Sequence, residues 1–189
     1  MLDLTPRQRL AAGLGLAVLL AATRGQHSAL LNLPSASWAV FFLAGVLLPA
    51  RWSFPALFLG AVGLDLAAVT WGGASNHCLT LAYWMLLPAY ASLWLGGRLY
   101  ARWHQWSWRT LPVLGGCLLG SSLLAHLCAS GGFYFLSGRF AEPDLAGLLT
   151  RIATYYPGSL QVLVGYVAAA GLLLGLARSL QRPALEVRA

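Results

Sequence analysis

The segment running from Ser75 to Thr80, Ser-Asn-His-Cys-Leu-Thr, sets a thiol beside an imidazole, and by residue type it is the stretch of this chain best suited to chemistry. Deprotonated, the sulfur of Cys78 is a soft, strong ligand for a transition metal. A zinc ion held by protein alone needs three or four converging ligands. Only His77 is adjacent, so a metal bound here would arrive in a cofactor of its own and use a single thiolate. The other two cysteines read differently. Cys117 packs as a small hydrophobe in the inner half of an apolar run. Cys128, near the outer end of the same run, either does the same or pairs with Cys78 on an oxidising face. With three cysteines in the chain, one thiol stays free in either case.

Polar groups within apolar runs are the next candidates, because each is costly at membrane depth unless it faces a cavity or a partner. Asp65 lies about seven residues before a turn at Gly72 to His77, and Tyr83 about as far after it. On antiparallel helices both would sit roughly 10 Å below the same surface. His27 and Gln26 fall in the first outer loop and Arg151 in an outer segment before Pro157, so these groups describe a polar cavity open outward. Each also has a structural reading: Asp65 as a carboxylate paired with an arginine or capped by backbone N–H groups, Tyr83 as an interfacial tyrosine, Arg151 as a surface charge, His27 as an ordinary loop histidine. Convergence on one face favours the cavity.

The elements that must position these groups follow from composition. The chain has 189 residues, of which 59% are hydrophobic and 9% charged, and a mean hydropathy of +0.70. A surface of ordinary polarity cannot be built from it, and its natural solvent is lipid. The apolar residues come in long runs rather than at every second position, which predicts helices and not an outer-membrane barrel. At about 20 residues per crossing we expect an all-α integral membrane protein forming one transmembrane domain, 1–189, of six spans: 10–23, 37–50, 54–71, 78–97, 111–130 and 158–177. The break between an outer segment, 147–156, and the last span is placed at Pro157-Gly158.

Orientation is read from arginine, since the chain has no lysine. Six spans put Arg7, Arg9, Arg51, Arg98, Arg102, Arg109, Arg178, Arg182 and Arg188 on one side, and Arg24, Arg139 and Arg151 on the other. The arginine-rich side is the cytoplasmic one, so both termini are expected there. The net charge of +7 is then explained by topology and anionic lipid, and nucleic-acid binding is not expected. The arginines and tryptophans between Arg98 and Arg109 read as headgroup-level anchors, with His104 among them as a solvated loop histidine. Gly13, Ala17 and Ala21 share one face of the first helix, suited either to close packing within the chain or to another membrane subunit.

Taken together, six short spans with both ends inside, a small-residue first helix and a cysteine in the outer 75–80 segment resemble the BtuM family of corrinoid transporters, relatives of the substrate-binding S-components of energy-coupling-factor transporters. The resemblance covers nearly the whole chain. It implies an S-component-like fold in a bacterial inner membrane, an outward pocket for cobalamin or cobinamide, and Cys78 as the axial ligand to cobalt. Asp65, Tyr83, Arg151 and His27 would be contacts to the corrinoid. A thiolate below the cobalt would weaken the bond to an upper cyanide, so decyanation is a hypothesis that accompanies capture, with Cys78 as the reacting group; an unchanged cyano-corrinoid spectrum in the presence of the protein would count against it.

No phosphate-binding GxxxxGK[ST] pattern occurs, so the chain either acts alone, as the resemblance implies, or borrows an energy-coupling module. Alternatives are a binder of another small vitamin docking on a shared module, or an intramembrane enzyme. The stretch from Cys128 to Gly131 resembles the serine motif of rhomboid proteases, with Ser130 as nucleophile. No histidine follows it, however, and His126 lies on the same helix. A membrane sensory module is the weakest reading, as no cytoplasmic signalling domain is expected after the last span.

Overall fold

The computed structural model describes residues 4–24, 33–71 and 81–186. These residues contain no strand. Helix α1, Pro6–Thr23, begins at a reciprocal cap: the Thr5 hydroxyl accepts from the Gln8 amide and the Gln8 side chain accepts from the Thr5 amide, with Pro6 in the first turn. Helix α2 spans Ser37–Leu47 and α3 Ala50–Thr70. A 3₁₀ turn, Leu81–Met85, leads into α4, Leu86–Trp103. Helix α5, Leu111–His126, carries Pro112 in its first turn, as expected, and continues through a π turn, Leu127–Gly131, into α6, Gly132–Leu136. Helix α7 is one element, Leu145–Glu186.

The expected break at Pro157-Gly158 is therefore absent. Proline removes one backbone bond and crowds the carbonyl four residues earlier, but in a long apolar helix nearby hydroxyls take up carbonyls around it. Thr154 and Ser159, which flank Pro157, donate to the carbonyls of Thr150 and Tyr155. Helix α2 stops at Leu47 with Leu48 extended ahead of Pro49, and Pro49 caps the start of α3, which carries Arg51 and Trp52 in its first turn.

Among the described residues, three helical stretches are long and apolar enough to cross a membrane: Arg51–Thr70, Trp108–Leu136 and Leu145–Ser179. Their outward residues include exposed Leu59, Leu119, Leu172 and Leu173. Helices α3 and α4 run antiparallel, since Asp65 meets Tyr83 near one end and Ser53 meets the Trp94 indole near the other. Trp52 and Trp71 are exposed and bracket α3, 19 residues apart. That is about 29 Å of helix, close to the roughly 30 Å of a hydrocarbon core.

At the centre lies α2, only 11 residues long and buried along most of its length. Phe41, Phe42, Val40 and Ala44 are inaccessible. A helix enclosed by others has no reason to be amphipathic, which is why its sequence is apolar all round. Close approach, expected on α1, is found here instead. A methyl on Gly45 would overlap the carbonyl oxygen of Trp94, and one on Gly97 the carbonyl oxygen of Phe42, so the α2 and α4 backbones touch. Of the three small residues on α1, Gly13 meets only Leu48, and Ala17 and Ala21 are exposed.

The obstacle at both α2–α4 glycines is backbone, which cannot move aside as a side chain does. Gly45→Ala or Gly97→Ala should cost about 3 kcal/mol or more by overpacking, read as a fall in thermal midpoint in detergent. Gly63→Ala, where a methyl meets open space, should be neutral or stabilise by up to about 1 kcal/mol.

Candidate functional site

Four helices meet at the guanidinium of Arg24, the residue that ends α1. Its Nε and Nη2 donate to the two carboxylate oxygens of Asp65 on α3 at 2.8 and 2.7 Å. This is the two-pronged geometry that suits a planar guanidinium. Nη1 donates to the Tyr90 hydroxyl on α4 at 2.8 Å and to Ser37 Oγ, at the start of α2, at 3.2 Å. Tyr83, in the 3₁₀ turn, donates to Asp65 Oδ2 at 2.8 Å. The Arg24 side chain is 8% exposed and that of Asp65 25%.

Beside this cluster lies an open cavity of about 540 Å³. Ser37 and Tyr90 belong to its wall as well as to the cluster; Ser35, His126, Ser130 and Ser159 supply further polar groups, and none of its lining residues is charged. The approach to α2 is pinned from two sides: the Thr23 hydroxyl accepts from the Ala36 amide at 3.0 Å, and Tyr166 of α7 donates to the Pro34 carbonyl at 2.9 Å. The opposite wall is the π turn. Such turns interrupt the regular ladder and are frequent at functional sites. Here the turn lies between His126, whose Nε2 is 3.1 Å from Ser130 Oγ, and α6. The imidazole is 3% exposed and lies edge-on to Trp38 and Tyr156.

The groups picked out from sequence are distributed as follows. Asp65 and Tyr83 are brought together, as matched depth on antiparallel helices requires; Asp65 is engaged with Arg24 and Tyr83 with Asp65, and neither lines the cavity. Arg151 stands apart. Its guanidinium carbon lies 5.0 to 5.8 Å from the ring centres of Phe140, Tyr155 and Tyr134, and its Nε is buried without a partner among the described residues. Tyr155 links it to the cavity, of which that ring forms part of the wall. Cys78, His77, His27 and Gln26 lie outside the described residues. Cys117 and Cys128 are free thiols.

Arg24, Ser37, Tyr90, His126 and Ser130 were not singled out as binding groups by the sequence reading. For Arg24 the signal was available, since Asp65 needs a counter-charge and the arginine-poor side offers three candidates. For His126 and Ser130 the four-residue spacing on one helix was visible but was weighed only as a catalytic pair. Their contact supplies a hydroxyl and an imidazole to the cavity. No further group orienting the imidazole and no set of converging amide donors accompanies it among the described residues, so the arrangement suits hydrogen bonding better than acyl transfer.

Removing one partner of a buried ion pair strands the other. Asp65→Asn should cost about 3–5 kcal/mol, and Tyr83→Phe about 1.5–3 kcal/mol through loss of a bond to a charged group. The double variant Arg24→Met/Asp65→Leu should recover much of the single-variant loss, because it leaves no unpaired charge. Thermal unfolding of the purified chain in detergent, read as a double-mutant cycle, checks all three. Additive losses in the double variant would mean that the pair is not coupled.

No protein-family model matches the chain and no curated protein sequence matches it, so the reading of the site rests on its residues.

Proposed function

We propose that the chain is a six-span protein of the bacterial cytoplasmic membrane, with both termini inside, that captures a corrinoid from the outer side and carries it inward. The observation that supports this most is the uncharged, hydroxyl-rich cavity beside the Arg24–Asp65–Tyr83 cluster. It lies at the end of the molecule where α3 finishes, at Thr70, and the 3₁₀ turn begins, at Leu81; Cys78 falls between the two in sequence. A corrin is a broad disc rimmed by amides. An open cavity offering scattered donors and acceptors is the kind of surface that holds it.

The six-span topology draws support from α4. Trp84 and Trp103 are exposed and 19 residues apart, as are Trp52 and Trp71 on the antiparallel α3, so the two helices carry matching aromatic belts. The nine-to-three division of arginines then sets the orientation. In this reading Cys78 supplies the axial ligand to cobalt, Arg151, Tyr83 and Asp65 position the rim of the site, and His27 belongs to its outer edge. Loss of an upper cyanide accompanies thiolate ligation.

A second reading follows from volume. About 540 Å³ falls within the usual 300–1,000 Å³ of small-molecule sites, which favours a vitamin smaller than a corrinoid, enclosed more completely and delivered through a shared energy-coupling module.

Absorption spectra of detergent-purified protein expressed with cyanocobalamin, beside Cys78→Ala, test the first reading. It expects a co-purified corrinoid with a shifted spectrum in the parent and loss of that shift in the variant. A colourless parent that also fails to take up added cobinamide would overturn it and leave the smaller ligand.

A further inference from the structure

At the opposite, arginine-rich end, two adjoining cavities take no part in the function proposed above. The first is an apolar slot of about 90 Å³ between α2, α4, α5 and α7, with Phe42, Val46 and Leu174 in its wall. It holds about three water volumes, enough for the first methylenes of an acyl chain and too little for a compact ligand. The second, of about 230 Å³, is lined by Trp106, Gly175, Arg178 and Ser179. Trp106 belongs to both. Helix α7 supplies a continuous floor: Gly171 in the slot, Gly175 one turn on in the mouth, and Arg178 beyond it on the same face. A methyl at either glycine would meet nothing within 4 Å, so the groove between slot and mouth is open.

The mouth is equipped for an anion. The Arg178 guanidinium lies 4.6 Å from the centre of the Trp106 ring, and no carboxylate pairs with it among the described residues. His104, expected to be a solvated loop residue, is instead half-buried between Tyr100 and Trp106 and lines the slot. Its Nδ1 is 2.8 Å from the Tyr100 hydroxyl, while Nε2 is buried without a partner among the described residues. When the phenol donates to Nδ1, the neutral ring carries its proton on Nε2, which is then a donor with nothing to bond. Burial and neighbouring positive charge, that of Arg178 included, keep His104 below the usual histidine range and so in this neutral form.

We propose that this slot and mouth form a binding site for one anionic phospholipid, whose phosphate lies against Arg178 and the Trp106 edge and whose acyl chain enters the slot past Gly171. The pairing of a dry slot with an unpaired guanidinium at an aromatic rim selects a molecule that is apolar at one end and anionic at the other. Basic pockets between helices at the cytoplasmic surface recognise such headgroups.

The test uses the full chain purified in detergent, with retained lipid measured by native mass spectrometry and stability by thermal unfolding. Phosphatidylglycerol, phosphatidylcholine with the same acyl chains, and inorganic phosphate are added separately. Phosphatidylglycerol should be retained preferentially and raise the unfolding midpoint. Arg178→Gln, at an exposed position, should weaken its retention about five-fold. Gly171→Leu, whose side chain enters open space and blocks the slot, should weaken retention while the midpoint without lipid stays unchanged. Equal retention of the two lipids, retention unaffected by either substitution, or stabilisation reproduced by inorganic phosphate alone would each overturn the proposal.

Discussion

A guanidinium buried within the protein must find its counter-charge and its acceptors there, and Arg24 finds them on three other helices at once. Among helices surrounded by lipid there is little hydrophobic drive to associate, because lipid tails are as apolar as leucine. Backbone contact and polar ties decide the packing instead. The α2–α4 contact at Gly45 and Gly97 holds the centre, and Arg24 ties α1, α2, α3 and the start of α4 at the arginine-poor end. The five carboxylates of the whole chain leave few alternatives, and Asp65 is the one within reach.

That tie shapes the cavity. Ser37 and Tyr90 each answer to Arg24 on one side and to the open space on the other, so one wall is held rigidly by an ion pair it does not itself contain. The facing wall is made differently. It consists of a π turn and the middle of α7, where Tyr156 meets Ser122 at 3.0 Å and His126 packs edge-on against aromatic rings. One wall is fixed electrostatically and the other by ring packing, and the surface between them sets hydroxyls and one imidazole among apolar Trp38, Val162 and Leu163, with no charged residue.

Much of this could be read in the sequence. The helical class, the apolar runs and the meeting of Asp65 with Tyr83 follow from periodicity, run length and equal spacing about one turn. Where the reading failed, it relied on local rules that packing overrode. Pro157-Gly158 punctuates a helix in water but not in a long apolar element with hydroxyls at hand. The small-residue stripe on α1 is real in sequence and stays exposed, whereas the decisive glycines, Gly45 and Gly97, are single residues on separate helices and form no motif. Arg24 was counted for topology as one charge among three, and a count does not reveal which arginine turns inward. His104 looked solvated because it lies between helices, and burial there comes from Tyr100 and Trp106, close in sequence, whose rings close over the imidazole in a way that local polarity does not reveal.

Helix α7 is 42 residues long, about 63 Å at the usual rise, twice what a bilayer core requires. The same unbroken rod carries Ser159 in the cavity wall and Arg178 in the mouth of the lipid groove, 19 residues further on. Any tilt of α7 that favours an occupant at one face therefore alters the fit at the other. With both sites occupied as proposed, thermodynamic linkage would make such a bias reciprocal: by whatever factor a headgroup at Arg178 changed affinity for a ligand in the cavity, that ligand would change affinity for the headgroup.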